Sequence, residues 1–273
     1  MMLVKFMKIG IIQNQISENI LETIQKTRQQ ILQIDADMVI LPEIWNCPYA
    51  NDIMKESIHY FQQSYDMMKT TAKEKGMWIV GGTIATPRQD KIYNTCFVFD
   101  DKGNEVISYD KTHLFELHAF NTEYSEKEVF EPGNHFVTFN TPWAKIGILV
   151  CYDIRFPEVS RLLALEGCKI LCCPAAFNYN TGLLHWKVLN TVRALENEVY
   201  FCGVGPAHYD YNGFSPYGHS MIVDPFGKEV IAMEEEVGYR VVDIDLEKVN
   251  YTRQKMPLWK VRRNDLYKVE KIK

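Results

Sequence analysis

Long apolar runs are the first thing this sequence lacks. No stretch reaches the roughly 18–20 consecutive apolar residues that a membrane-spanning helix requires, so no membrane partner is expected. Clustered basic charge is also missing. The 273 residues carry a formal charge of −5, and the densest basic group, Lys260, Arg262 and Arg263, is brief. A surface that neutralises phosphates shows the opposite pattern, so no nucleic-acid partner is expected either. Neither G-x-x-x-x-G-K-[ST] nor G-x-G-x-x-G occurs. The usual loops for nucleotide phosphates are therefore absent. There is no internal repeat and no low-complexity segment. The opening "MMLVKFMKIGIIQ" has a lysine inside its short apolar stretch and no small-residue cleavage site, and reads as a first strand, not a signal peptide. The seven cysteines are odd in number and read as free thiols of a reducing cytoplasm.

What is present is a core-forming composition, 47% hydrophobic, with β and α patterns intermixed. "MKIGIIQNQ" reads as a strand. Ser17 is placed to cap a helix running to about Ile34, with Ile20, Ile24, Thr27 and Ile31 on one face. "ADMVILPE" is a continuously apolar strand of the kind covered on both faces. A helix with the stripe Ile58, Phe61, Tyr65, Met68 and Ala72 ends at Gly76. "KIYNTCFVFDDKGNEVISYDK" reads as a hairpin about Asp101, Lys102 and Gly103. "HFVTFN" and "KIGILV" form another strand pair. Helices are expected near Pro157–Glu166 and from about Leu184 to Glu198, with the strand "KILCCPAAF" between them. "VYFCGVGPA", "HSMIVDP", "KEVIAM" and "GYRVVDIDL" complete the β pattern. The mixture, without a linker, predicts one α/β domain over residues 1–273, with a core of about 8–246 and a tail from 247. Two packed sheets with helices outside fit the apolar strands. Residues 118–134 show no clear period and read as a long functional loop.

Three polar residues follow apolar strands directly: Glu43 after "MVILP", Lys111 after "VISYD" and Cys151 after "GILV". Strand ends are where α/β proteins place their sites. A thiol is a modest nucleophile until a base takes its proton and a cation favours the thiolate. Glutamate can be the base, and lysine can stabilise the oxyanion formed when a carbonyl is attacked. Cys, Glu and Lys are thus a sufficient set for acyl transfer. The plain alternatives are a small core cysteine and a solvated loop glutamate. A Cys-His pair using His113, His185 or His219 also remains open at this level. Cys168, Cys172 and Cys173 have the wrong spacing for a paired C-x-x-C site, and adjacent strand cysteines point to opposite faces, so packing and not metal binding is expected.

These segments carry a resemblance. "LPE" ending at Glu43, "YDKTHLF" with Lys111, "CYDIRFPE" opening with Cys151 and "GHSMIVDPFG" resemble, in order, the signature segments of the nitrilase superfamily, the carbon–nitrogen hydrolases. The likeness runs from about Lys8 to the C-terminal "RRNDLY". It implies a four-layer αββα sandwich, Glu43 as general base, Lys111 as oxyanion-stabilising cation and Cys151 as nucleophile. It also implies a second glutamate before a "PG" step. Glu126 in "YSEKEVFEPG" holds that place, with Glu128 two residues away as the competing register. The amide N–H of Tyr152 is a candidate oxyanion donor. Arg155 reads as a local ion pair with Glu158, with a substrate role as the alternative.

"PAAFNYNTGLLHW" and "MPLWKVRRNDLY" are most similar to the ω-amidase branch, which implies short dicarboxylic monoamides such as 2-oxoglutaramate, 2-oxosuccinamate and succinamate as substrates. Asn178, Tyr179 and Thr181, beside a helix N-terminus, are candidate carboxylate contacts, with Tyr49 as an aromatic wall. A helix-capping loop that touches no ligand is the plain alternative. Other expectations from the same family are a deaminated-peptide amidase, an N-carbamoyl hydrolase or a nitrilase, and outside catalysis a binding protein of the same fold. No cofactor or metal is expected. The superfamily resemblance implies a homodimer or larger assembly. Met256, Leu258, Trp259, Val261, Leu266 and Tyr267 in the tail add a physical reason, because apolar side chains beyond the last strand need a surface to cover.

Overall fold

The computed structural model describes residues 6–119 and 122–272. Two twisted sheets stack face to face, and helices cover both outer faces. The first sheet contains β1 (Phe6–Gln13), β2 (Met38–Ile40), β3 (Trp78–Val80), β4 (Ile84–Arg88), β5 (Lys91–Phe99) and β6 (Glu105–Asp110). The strand β15 (Gly238–Asp245) returns from the far end of the chain to pair antiparallel with β1. Strands β1, β2 and β3 run parallel, and β5 pairs antiparallel with β3, β4 and β6.

A short hairpin follows, β7 (Glu116–Ala119) with β8 (Thr122–Ser125). The second sheet contains β9 (Thr138–Asn140), β10 (Lys145–Ile148), β11 (Ile170–Pro174), β12 (Tyr200–Val204), β13 (Met221–Val223) and β14 (Glu229–Ala232) in the order β14-β13-β12-β11-β10-β9. Its centre, β10-β11-β12, is parallel, as β1-β2-β3 is in the first.

The apolar strands have no polar face because neither face meets water. Ile9, Ile11, Met38, Ile40, Trp78, Val80, Cys96 and Val98 join the core between the sheets, while the alternate residues Ile12, Val39, Ile79, Phe97 and Phe99 join the core under the helices. Those helices are α1 (Ile20–Gln33) and α3 (Phe61–Lys75), with the short α2 (Asn51–Glu56) before α3. On the opposite outer face α4 (Pro157–Leu165) and α5 (Tyr179–Asn197) contribute Leu163, Ala164, Trp186 and Ala194. The result is the four-layer αββα sandwich. A last helix, α6 (Glu247–Lys255), follows β15.

Several local expectations shift. Asn19, not Ser17, caps α1: its side chain accepts the Glu22 N–H at 3.1 Å, whereas the Ser17 hydroxyl faces Thr23 and the Asn19 carbonyl. Helix α5 begins at Tyr179, five residues before the expected Leu184, because the Asn178 side chain caps it. The stretch 118–134 is not a featureless loop. It holds the end of β7, all of β8 and a 3₁₀ turn, Glu126–Glu128.

The tail is divided. Trp259 packs onto its own chain under the Arg253 guanidinium, 4.1 Å from the ring centre, whereas Val261, Leu266 and Tyr267 are exposed.

Candidate active site

The three strand-end residues converge at one place. Glu43 follows β2, Lys111 follows β6 and Cys151 follows β10, so two come from the first sheet and one from the second. Parallel strands leave their C-terminal ends open, and the chain turns there with side chains free to meet. Two of those turns are backbone outliers. Ile44, next to Glu43, and Cys151 both have φ of +45°. Such a conformation costs a non-glycine residue about 1–3 kcal/mol and persists only where its surroundings enforce it.

At Ile44 the enforcement is visible. Its N–H donates to Thr83 Oγ1 at 2.8 Å, and the Thr83 N–H donates to the Pro42 carbonyl at 3.0 Å. The neighbouring Gly82 has φ of +57°, and a Cβ there would lie 1.9 Å from the Pro42 oxygen. Only glycine permits this approach.

Lys111 is fully buried with two carboxylates. Its Nζ lies 2.8 Å from Glu43 Oε1 and 2.8 Å from Glu126 Oε2. Glu126 Oε1 also accepts from the Tyr49 hydroxyl at 2.5 Å, and Oε2 from the Phe115 amide at 2.5 Å. Asn94 Nδ2, on β5, donates to Glu43 Oε1 at 2.9 Å. The backbone of Lys111 is held as well: its N–H donates to the Asn94 carbonyl and its carbonyl accepts from Gly133 N–H, each at 2.9 Å.

Of the two competing glutamates, Glu126 turns inward to Lys111, while Glu128 is exposed and accepts from Asn51 Nδ2 at 2.9 Å. Sequence reasoning missed Asn94. Its only signal was an amide inside a β-rich run.

Burial dominates the electrostatics. It raises the Glu43 carboxyl above the ordinary range. The Lys111 charge opposes this and the Glu126 charge adds to it. Lys111 is held well above its usual value: the two carboxylates outweigh burial, which alone would lower it. Burial likewise pushes the Cys151 thiol well above its usual value, and the Glu43 charge reinforces that. Burial and the Glu43 charge thus both disfavour the thiolate, while the Lys111 charge favours it. The second Glu43 oxygen, Oε2, has no partner by hydrogen-bond geometry, yet Glu43 is near enough to the thiol for each to perturb the other's proton affinity.

Cys151 opens a 3₁₀ turn, Cys151–Arg155. The turn is fastened by Asp153, a buried residue that the sequence did not single out. Asp153 Oδ2 accepts from Val150 N–H at 2.9 Å and Tyr109 OH at 2.8 Å; Oδ1 accepts from Thr112 Oγ1 at 3.0 Å and His113 N–H at 3.1 Å. One carboxylate thus ties the Cys151 turn to the segment that carries Lys111. None of His113, His185 and His219 lines the Cys151 pocket. Cys168, Cys172 and Cys173 are buried in the core cluster.

The space at Cys151 is about 20 Å³, room for roughly one water-sized group. Tyr49, Phe115, Tyr152, Arg155, Asn178 and Thr181 line it. Tyr179 does not: its ring meets His208 and Tyr217, and its hydroxyl faces Glu235.

Arg155 makes no ion pair with Glu158. Its guanidinium sits 4.9 Å from the centre of the Phe177 ring, with Nη1 3.2 Å from His185 Nδ1. Among the described residues no carboxylate lies within 4.0 Å of it. A second cavity, of about 310 Å³, shares Tyr49, Phe115 and Asn178 with the space at Cys151.

A buried Cys–Glu–Lys cluster at the strand ends of an αββα sandwich defines a class of acyl-transfer hydrolase. The family model of the carbon–nitrogen hydrolases matches residues 8–254, and the chain belongs to that family, whose members hydrolyse carbon–nitrogen bonds. It is similar to omega-amidase NIT2 of Mus musculus, 35% identical over 272 residues, covering 97% of this chain and 98% of that protein. Omega-amidase NIT2 of Homo sapiens is 36% identical, covering 96% and 97%. Among solved structures, Saccharomyces cerevisiae Nit3, a member of branch 10 of the nitrilase superfamily, is 33% identical with a TM-score of 0.86, covering 96% of this chain and 98% of that one. The C. elegans NitFhit protein is 27% identical with a TM-score of 0.90, covering 98% and 68%.

Proposed function

We propose that this chain is an ω-amidase, hydrolysing the terminal amide of 2-oxoglutaramate, 2-oxosuccinamate and succinamate to the dicarboxylate and ammonia. Arg155 carries the reading. It is a cation in the pocket of Cys151, stacked on Phe177 and free of any carboxylate partner among the described residues. A substrate carboxylate supplies the missing charge. Asn178 and Thr181, at the start of α5, offer neutral polar groups and a helix N-terminus beside it. The relatives named omega-amidase, alike over nearly the whole chain, support the same reading.

The distal carboxylate docks at Arg155 and brings the amide carbon to Cys151, with Tyr49 as the wall. Glu43 removes the thiol proton as the sulfur attacks. The two events go together, because burial disfavours a free thiolate ahead of attack. The Lys111 ammonium and the Tyr152 N–H stabilise the oxyanion, and Glu126 holds Lys111 in place. Glu43 returns its proton to the nitrogen, the C–N bond breaks, and ammonia leaves an acyl group on Cys151. Water then attacks the thioester, Glu43 accepts its proton, and the thiol re-forms as the acid departs. Thiol and lysine supply nucleophile and electrophile, so the scheme calls for no cofactor.

The chain works as one catalytic domain in a reducing cytoplasm, which suits seven unpaired cysteines. It acts as a homodimer. An exposed strip on α5, with Leu183, Leu184, Val188 and Val192, supports that.

Ammonia release from a panel of amides tests the reading. Succinamate should exceed butyramide in kcat/KM, and 2-oxoglutaramate should exceed glutamine. A higher value for butyramide than for succinamate overturns it in favour of a general aliphatic amidase. Acid-quenched turnover should leave an acyl adduct on the peptide containing Cys151.

A further inference from the structure

Two donors meet one oxygen of Glu43. Lys111 Nζ lies 2.8 Å from Oε1, and Asn94 Nδ2 lies 2.9 Å from the same atom. The second oxygen, Oε2, has no donor. A carboxylate oxygen offers about two lone pairs, so Oε1 is filled and Oε2 is where a proton can land. The Cys151 thiol is a hydrogen-bonding neighbour of this carboxyl.

Lysine alone does not impose that asymmetry. Its ammonium is a compact charge on a flexible stem, shared here with Glu126 at 2.8 Å, and a carboxylate can turn both oxygens toward it. The Asn94 amide fixes the turn. It is buried on β5, and its neighbours set its orientation. Reversed, its oxygen would face Glu43 Oε1 and also Glu126 Oε1, which lies 3.4 Å from Nδ2. The same strand locates the lysine: the Asn94 carbonyl accepts the Lys111 N–H at 2.9 Å, and Thr95 Oγ1 donates to Asp110 Oδ1 at 2.7 Å. One residue thus places the lysine through its main chain and the glutamate through its side chain. Asn94 Oδ1 is meanwhile buried without a partner, which costs stability. An asparagine kept for folding alone would satisfy both ends of its amide.

We propose, resting on the reading of Glu43 as the base, that Asn94 is a positioning residue: it holds Glu43 Oε1 so that Oε2 alone faces the thiol, takes the S–H proton and passes it to the departing nitrogen. It also tunes the base. A donor to the ionised form favours that form, so Asn94 opposes the burial that raises the proton affinity of Glu43. Asn94 does not line the space at Cys151, so it acts through Glu43 and not on the substrate.

Asn94→Leu removes the donor at similar bulk. Asn94→Ala removes it with no added bulk and carries the same expectation where the leucine variant does not fold. The acid limb of kcat/KM should move up by about one pH unit, and kcat above that limb should fall about 10–100-fold, the scale of one hydrogen bond to a charged group. KM should change little, on succinamate and butyramide alike. An unmoved limb overturns the assignment and makes Asn94 structural, whatever happens to the melting temperature. A raised KM with kcat intact overturns it too, by placing Asn94 against the substrate. Full turnover by Glu43→Gln removes the base reading and the role of Asn94 with it. The limb is read on both amides, so a preference for butyramide defeats the ω-amidase reading alone, and the shift measured on butyramide still decides the assignment of Asn94.

Discussion

His113 Nδ1 lies 2.7 Å from Asp153 Oδ1, and the imidazole stacks on Phe156 with ring centres 3.8 Å apart. The histidine that follows the proposed oxyanion cation by two residues is thus engaged by the turn that carries the proposed nucleophile. It is not free to act as a base at Cys151. Asp153 gathers His113, Thr112, Tyr109 and Val150 onto one buried carboxylate.

Asp153→Asn keeps the shape and removes the charge, leaving donors that faced an anion. Chemical denaturation should show a loss of about 2–3 kcal/mol, the scale of a hydrogen bond to a charged group. In protein that remains folded, kcat should fall at least tenfold with KM little changed, since Lys111 and Cys151 lose their fixed separation. A fall in stability with kcat intact would make Asp153 structural only.

Glu43→Gln and Lys111→Met should part company in stability. Each should lower kcat by about 10²–10³ or more, as expected for a lost proton acceptor or oxyanion donor. Lys111→Met also leaves two buried carboxylates facing each other, which should destabilise the fold by about 3–5 kcal/mol. Glu43→Gln keeps Lys111 paired with Glu126 and should be close to neutral. Urea unfolding of both variants checks the difference, and a mild Glu43→Gln rate effect would reopen the Cys-His reading.

The pH dependence follows from the raised proton affinities of Glu43 and Cys151. A base must be unprotonated, so kcat/KM should fall on the acid side, with a midpoint above the ordinary 4.5 of glutamate. Alkylation of Cys151 by iodoacetamide should keep rising with pH beyond 9, the usual thiol value. Removing the Glu43 charge removes one influence that disfavours the thiolate, so Glu43→Gln should shift the alkylation profile to lower pH. A shift upward would contradict the arrangement.

Arg155→Met should erase the preference for acids. The kcat/KM for succinamate should drop about 10–100-fold, the range for one charged hydrogen bond, while that for butyramide changes little. An equal drop on both would make Arg155 a support of the Cys151 turn and remove the basis for choosing an ω-amide.

The strip on α5 predicts the assembly. Val188→Glu should yield a monomer by light scattering where the parent chain is a homodimer, because a buried unpaired charge opposes association. A monomeric parent at micromolar concentration would refute the dimer.

The sandwich was legible because strands covered on both faces are apolar at every position, as in Met38–Ile40 and Trp78–Val80. The three strand-end residues were legible because their segments resemble family signatures. What stayed hidden depends on contacts between distant segments. Asn94 meets Glu43 across 51 residues and Asp153 meets Tyr109 across 44, and nothing local marks either. Glu126 and Glu128 share one 3₁₀ turn, and only the fold decides which faces inward. Tyr179 sits one residue from Asn178 but, as the first residue of α5, turns to the other side. The hairpin β7–β8 was read as loop because its strands have four residues each and no apolar alternation.

The cluster straddles the seam between the layers: Glu43 and Lys111 hang from one sheet and Cys151 from the other. Catalytic competence is then a gauge of how the two sheets are seated, finer than any measure of their individual strands. A denaturant titration followed by turnover should reach its midpoint before one followed by far-ultraviolet circular dichroism. Sheets that loosen by an ångström keep their hydrogen-bonded ladders, yet carry the sulfur out of the reach of its base.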